Sequence, residues 1–181
     1  MLTTAVDARP YAALSDLLEY PRPGLGRLLN EARALLGERY PTVAPEIAAF
    51  EGTTKGWTCE HLEEAYTRAF DCAPIAAPYL SVYLFGPESF KRAELMSGFM
   101  GAYSRTGFDS GTELPDHVAT VLRYALSCDP AEWEEIARWC LRGPIEKMAR
   151  ALAEAGNPYA HLLRAVDELL DQDFPREVRH A

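Results

Sequence analysis

Apolar residues recur along most of the chain at the three- and four-residue spacing of amphipathic helices. Between residues 25 and 36, leucine and alanine follow the i, i+3, i+4, i+7 pattern, and Gly37 follows as a C-terminal cap. Similar stripes occupy residues 11–18, 43–50, 62–70, 90–103, 118–126, 133–152 and 162–170. No Asn-Gly or Asp-Gly hairpin turn separates alternating apolar runs. The pattern predicts an all-α fold, a single compact bundle of about seven or eight helices.

Capping residues and prolines predict where several of these helices begin. Thr58 precedes one stripe as an N-cap, and Asp129-Pro130 combines an N-cap with a proline in the first turn. Glu132 stands at the third position after Asp129, where it completes the sequence pattern of a capping box. Asn157-Pro158 repeats the cap and proline before the last stripe. Gly143-Pro144 interrupts an apolar stripe, and we expect a break or kink there.

Two segments depart from the helical pattern. Residues 71–86 contain two prolines within an apolar stretch, and Tyr79–Phe85 alone has a strand-like composition. A helix is expected to restart at Pro87. Residues 107–113 form a polar, glycine-containing connector that we interpret as a hinge within one domain over residues 1–181. Residues 172–181 form a charged tail.

Charge narrows the classes of partner. The chain has 181 residues with 18 Lys and Arg against 27 Asp and Glu, a net charge of −9. An acidic surface repels nucleic acid and anionic lipid and favours basic peptides. The mean hydropathy of −0.18 is typical of a free protein rather than a permanent subunit of a complex. The chain starts without a secretory signal and contains no apolar run long enough to span a membrane, so we expect a cytoplasmic protein.

Motifs for common catalytic and cofactor sites are absent from the sequence. It contains no dinucleotide-binding, P-loop, zinc-protease or nucleophile-elbow motif. Four cysteines lie far apart without a C-x-x-C pair, which indicates a reducing compartment. Cys59 and His61 are two residues apart and cannot share a helical face as a metal pair. We therefore expect no metal and no cofactor.

The sharpest polar cluster consists of Glu113, Asp116 and His117 at the start of a predicted helix. A carboxylate near a helix N-terminus is stabilised by the helix dipole, so Asp116 has a structural explanation. A charged histidine is disfavoured at the same position, so capping leaves His117 unexplained. The cluster is thus either partly structural or part of a binding site.

Aromatic and methionine side chains surround the irregular segment. Aromatic stripes at helical spacing usually pack into a core, and this is the alternative for each single residue. Together with methionine, however, they are typical of an adaptable groove that binds a peptide helix. The candidate groove residues are Tyr66, Phe70, Tyr83, Phe85, Met96 and Met100.

Five segments, in this order, resemble the nitrate reductase delta subunit (NarJ-like) family of redox enzyme maturation chaperones, which also includes the TorD and DmsD proteins. The resemblance runs from residue 14 to residue 170. The segments are Leu14–Pro21, Tyr66–Asp71, Leu80–Phe85, Leu114–His117 and Asn157–Leu163.

The resemblance implies a TorD-like, all-helical cytoplasmic chaperone that is not an enzyme. Such a protein binds the N-terminal leader of a molybdenum-cofactor oxidoreductase, such as a nitrate reductase, and holds the apo-subunit during cofactor insertion, before membrane attachment or twin-arginine export. The family's signature maps onto Glu113, Asp116 and His117. Leu114 replaces the usual proline, and Pro115 follows one position later. This departure leaves open whether the partner's leader carries a full or a vestigial twin-arginine motif.

The resemblance also implies how the leader binds. A leader has a basic region followed by an apolar segment, and an apolar groove with an acidic rim complements it. We assign the aromatic and methionine residues to the groove, and Glu113, Asp116 and His117 to its rim or hinge. The protein would be a monomer or a helix-swapped dimer. Two alternatives remain, a small helical metal- or cofactor-binding enzyme and a permanent structural subunit of a respiratory complex.

Overall fold

The computed structural model describes residues 6–176, and their regular structure is helical throughout. The elements are α1 Arg9–Leu17, α2 Leu25–Leu36, α3 Ala44–Thr54, α4 Cys59–Phe70, α5 Leu80–Phe85, α6 Lys91–Thr106, α7 Val118–Tyr124, α8 Pro130–Glu135, a π-helical segment Ile136–Leu141, α9 Arg142–Glu154 and α10 Tyr159–Asp173. The predicted all-α fold is confirmed. α8, the π-helical segment and α9 follow one another without a gap and form one continuous helix. The described part therefore contains nine continuous helices rather than seven or eight.

The core forms around the last helix. α10 packs against α9, α3 and α1, and α1 in turn packs against α7 and α2. On α10, leucine, valine and alanine side chains at i, i+3, i+4 and i+7 are fully buried, as the sequence pattern predicts. Their burial removes apolar surface from water and is the main stabilising term of the bundle.

Most predicted helix starts are confirmed. The Thr58 side chain accepts a hydrogen bond from the backbone N–H of His61 at 3.3 Å. The Asp129 carboxylate accepts from two backbone N–H groups at the start of α8, at 2.9 and 3.1 Å. The predicted capping box is not closed, because Glu132 pairs with Arg105 and accepts from the Tyr124 hydroxyl instead.

Gly143-Pro144 does not break its helix. The helix continues from Pro130 to Glu154, and the π-helical segment ends at Leu141, three residues before the proline. A proline removes one N–H donor and crowds the carbonyl four residues earlier, here that of Cys140, which lies inside the wider π turn. A local π turn is one way in which a helix accommodates such an interruption.

The irregular segment differs most from its prediction. Tyr79–Phe85 includes a short helix, α5, rather than a strand, and α6 begins at Lys91 rather than Pro87. Phe90 was expected on a buried face, but it directly precedes α6 and is 91% exposed. α7 begins at Val118, three residues after Pro115. In the predicted tail, residues 177–181 lie outside the described part of the chain.

Candidate functional site

The side chain of Asp116 is completely buried. Asp116 caps the start of α5 rather than the start of α7. Its Oδ2 accepts a hydrogen bond from the backbone N–H of Ser81 at 3.0 Å, and its carbonyl oxygen accepts from the N–H of Leu80 at 3.0 Å. Two of the free N–H groups at the start of α5 are thereby satisfied. Asp116 therefore joins two segments that are 35 residues apart in the sequence.

His117 caps α7, a role that the sequence pattern suggested for Asp116. Its Nδ1 accepts a hydrogen bond from the backbone N–H of Ala119 at 3.2 Å, and the ring is 3% exposed. The expectation that capping leaves His117 unexplained was wrong, because a neutral imidazole accepts at one nitrogen and carries its proton on the other. Burial lowers the pKa of His117, although the carboxylate of Glu113 opposes this shift. The neutral form that caps the helix is therefore favoured.

Glu113 differs from Asp116 and His117 because its side chain is exposed. It lines an open cleft of about 550 Å³ between the end of α1, the start of α2 and the connector. The cleft contains both signs of charge, since Glu19 pairs with Arg123 at 2.8 Å at its edge. Of the three predicted rim residues, only Glu113 is accessible to a ligand in this conformation, and its role stays a prediction.

Tyr66 and Phe70 lie in an aromatic cluster of the core. The centroid of the Tyr159 ring on α10 is 5.6 Å from that of Tyr66 and 5.5 Å from that of Phe70. Both predicted residues are at least 92% buried, and burial raises the pKa of the Tyr66 hydroxyl. They support the packing of α4 on α10, and a direct contact with a peptide stays a prediction.

The four remaining predicted residues lie on α5 and α6, and we call them the α5–α6 surface: Tyr83, Phe85, Met96 and Met100. Tyr83 and Met96 are half-buried, whereas Phe85 is 38% and Met100 60% exposed. α6 turns Phe99, Ala102 and Tyr103 inward, whereas the neighbouring Met100 side chain faces outward. As a result, Met100 is available to a ligand.

One hydrogen bond ties α6 directly to the segment Glu113–His117, which we call the signature segment, and a second ties α6 to α5. The Tyr103 hydroxyl donates to the carbonyl oxygen of Pro115 at 2.6 Å. The Arg92 guanidinium donates to Ser81 Oγ at 3.0 Å, and Ser81 is also the backbone partner of Asp116. The signature segment thus fixes the positions of α5 and α6.

A second apolar surface, which no candidate residue from the sequence lines, lies between α6 and the π-helical segment. We call it the α6–π groove, and its volume is about 360 Å³. The sequence signal that marks it is Trp139, which sits just before Gly143-Pro144 and is 74% exposed. The groove is lined by Glu94, Leu95, Gly98, Phe99, Ala102, Glu132, Glu135, Ile136, Trp139 and Cys140.

Residues 6–176 contain no group of three or more His, Cys, Asp or Glu side chains that could hold a metal ion. All four cysteines are free thiols, and burial raises the pKa of Cys128 to about 12 and also raises that of Cys140. Neither thiol is thus activated as a nucleophile. Within the same range, every helix is too short or too polar to cross a membrane.

Comparison with curated proteins finds similarity to one protein in two strains. The nitrate reductase-like protein NarX of Mycobacterium tuberculosis, from strains CDC 1551 and H37Rv, is 34% identical to this chain over 105 residues. The match covers 56% of this chain and 15% of NarX. The region of similarity is therefore a small part of a much longer protein.

Among solved structures, the chain is similar to a crystal structure described as a redox enzyme maturation protein from Archaeoglobus fulgidus. The TM-score is 0.63 at 24% identity, over 94% of this chain and 98% of the other. The likeness shows a shared TorD-like fold. The family profile described as nitrate reductase delta subunit matches residues 33–165. Because that match extends over more than half of the sequence, the chain belongs to the nitrate reductase delta subunit family.

Proposed function

We propose that this protein is a cytoplasmic chaperone for the catalytic subunit of a molybdenum-cofactor oxidoreductase of the nitrate reductase type. It binds the N-terminal leader of the apo-subunit and assists cofactor insertion and assembly before membrane attachment or export. The observation that carries the proposal is the family match over residues 33–165. The nitrate reductase delta subunit family consists of maturation chaperones that catalyse no reaction.

The charge and the exposed side chains support leader binding. A leader joins a basic stretch to an apolar stretch, and this chain has a net charge of −9 together with exposed apolar side chains on α5 and α6. Opposite charge accelerates the encounter, and burial of apolar surface slows dissociation. The protein needs no cofactor of its own for this task.

The signature segment has a positioning role in this proposal. Asp116 and His117 are buried and bind backbone N–H groups of α5 and α7. They hold the α5–α6 surface in place through Ser81 and Arg92. Glu113 is exposed and is the member of the segment that is free to meet a basic side chain.

Isothermal titration with synthetic leaders tests the proposal. The ligands are the N-terminal peptides, about 15–30 residues long, of the molybdoenzyme catalytic subunits encoded in the same genome. A peptide with the same composition in scrambled order is the control. We expect binding by one leader that weakens modestly as salt rises, because salt screens the charges but not the apolar contact. Absence of binding by every leader, or complete loss at about 0.5 M salt, would contradict this mode.

A pull-down from cell extract separates the chaperone from a permanent subunit. A chaperone is recovered with the apo-catalytic subunit and is absent from the mature enzyme. Recovery of this chain at equal stoichiometry in the active, cofactor-loaded complex would instead indicate a structural subunit.

A further inference from the structure

The α6–π groove has an apolar floor that is open to solvent. α6 buries only Phe99, Ala102 and Tyr103 out of its 16 residues, so the helix is loosely covered on its outer side. Across the groove, the Trp139 side chain is 74% exposed. An exposed tryptophan beside an apolar cleft is typical of a binding hot spot, because it offers a large, rigid surface to a partner. π-helical turns, such as the one that carries Trp139, occur frequently at functional sites.

The rim of the groove is acidic. Glu94 lies on the α6 side, and Glu132 and Glu135 lie on the side of α8. Glu132 is partly neutralised by Arg105, whose guanidinium is 3.1 Å from its carboxylate. Glu94 and Glu135 make no ion pair with any residue between 6 and 176. The rim therefore presents uncompensated negative charge beside an apolar surface.

Gly98 contributes space that the fold itself does not use. It lies on the floor of the groove within α6, and a Cβ atom built on it would meet no other atom within 4 Å. Alanine is more favourable than glycine inside a helix by about 1 kcal/mol. The packing within the chain gives no reason for glycine here, whereas the close approach of a partner helix does.

We propose that the α6–π groove binds the apolar helical stretch of a cationic leader, with Trp139 as its anchor and Glu94 and Glu135 paired with the leader's basic flank. This inference rests on the proposed function, and it assigns the apolar stretch of the leader to this groove rather than to the α5–α6 surface, none of whose residues line the groove. Charge selects this occupant over a second copy of the chain, because two chains of −9 repel each other at an acidic rim.

A steric block tests the groove. Gly98→Leu should fill the floor and weaken leader binding by about tenfold or more, while the thermal midpoint stays equal or rises. Gly26→Leu is the matched control, since Gly26 is also exposed within a helix, α2, and a Cβ there meets nothing within 4 Å. The control should bind the leader peptide as the unmodified protein does.

Trp139 supplies an independent variant and a direct signal. Trp139→Ala should also weaken binding by about tenfold, and Trp57→Ala, which removes another partly exposed tryptophan, should not. In a Trp57→Phe background, leader binding should shift tryptophan emission to shorter wavelength, because Trp139 leaves water and Trp133 is already 3% exposed. The shift should be absent from Trp139→Phe.

The charged rim is tested by Glu135→Lys, which should lower affinity severalfold at low salt and less at high salt. Glu168→Lys on α10 makes the same charge change away from the groove lining and is its control.

If the unmodified protein binds a leader but Gly98→Leu and Trp139→Ala bind it equally well, the groove assignment is wrong and the proposed function stands. Failure of the unmodified protein to bind any leader overturns both. Sedimentation shows whether the groove instead binds a second copy of the chain. If the unmodified protein is a dimer that Gly98→Leu dissociates while leader binding stays unchanged, the assignment of the groove to the leader is wrong.

Discussion

The signature segment and helix α6 are linked by hydrogen bonds, yet their side chains are used in opposite ways. Asp116 and His117 carry ionisable groups that are buried and bound to backbone N–H groups of neighbouring helices. α6 carries apolar side chains, such as Met100, that remain exposed. In the signature segment, buried polar groups position neighbouring helices. On α6, apolar side chains remain exposed to solvent.

The difference indicates that separate regions of this fold account for its stability and for the surface that it offers to a ligand. Burying a carboxylate or an imidazole is costly unless hydrogen bonds compensate. The bonds that Asp116 Oδ2 and His117 Nδ1 accept therefore set the positions of the helices they join, although the other carboxylate oxygen, Asp116 Oδ1, is buried without a partner among the described residues. An exposed methionine loses little when nothing binds and can adapt its shape when something does. Variants in the first region should thus change stability, and variants in the second should change affinity.

The largest loss of stability is expected from Asp116→Ala. It removes the acceptor of the Ser81 N–H in a fully buried site, and the free energy of unfolding should fall by about 2–3 kcal/mol. Asp116→Asn retains an acceptor oxygen and should lose clearly less. Chemical denaturation of both variants measures the difference, and a loss below about 0.5 kcal/mol for Asp116→Ala would contradict the buried role.

His117→Ala should lower the free energy of unfolding by about 1–2 kcal/mol near neutral pH, through the lost cap and the space left behind. The folded pKa lies below the unfolded value of 6.5. Below pH 6.5 the unfolded chain therefore binds the proton first, and the stability of the unmodified protein should fall as pH drops through the lowered pKa.

His117→Asn is the control for this titration, because asparagine caps a helix but does not titrate. Denaturation curves at about pH 7.5 and 5.5 should show a smaller fall for the asparagine variant than for the unmodified protein. A His117→Ala variant with unchanged stability but lost leader binding would favour direct contact with the peptide instead.

Arg92→Met should have an intermediate effect on stability. It removes the hydrogen bonds to Ser81 Oγ at 3.0 Å and to the Pro87 carbonyl at 2.6 Å, and we expect a loss of about 0.5–1.5 kcal/mol. Leader affinity should fall as well, because α6 is less firmly positioned. Arg68→Met, which breaks an exposed pair with Glu64 on α4, is the matched control and should change neither measurement by much.

Met100→Ser should leave stability within about 0.5 kcal/mol, because the side chain is 60% exposed. If the α5–α6 surface contacts the leader, its affinity should fall about threefold in the same preparation. Leu126→Ser, in the segment after α7, removes a side chain that is 55% exposed and should not alter binding. Equal affinity of both variants would remove Met100 from the site.

The helical fold could be predicted because its causes are local. The apolar stripe of α10, the Thr58 cap and the Asp129 cap all depend on residues within a few positions of one another. The same local rules failed at Asp116 and His117. A carboxylate near a helix start can accept a hydrogen bond from its own helix or from another segment. The antiparallel bridge between Tyr79 and His117 brings the start of α5 within hydrogen-bonding distance of Asp116.

By itself, the sequence determined the helix content, the acidic balance and, through the order of its motifs, the family. The tertiary structure alone decided which side of α6 is buried, because Phe99 and Met100 are adjacent apolar residues and only the neighbouring helices distinguish them. It also decided that Trp139 lies opposite α6, 40 residues after Phe99, and so formed the α6–π groove. Local periodicity specifies a helix, but the surfaces between helices depend on how distant segments pack.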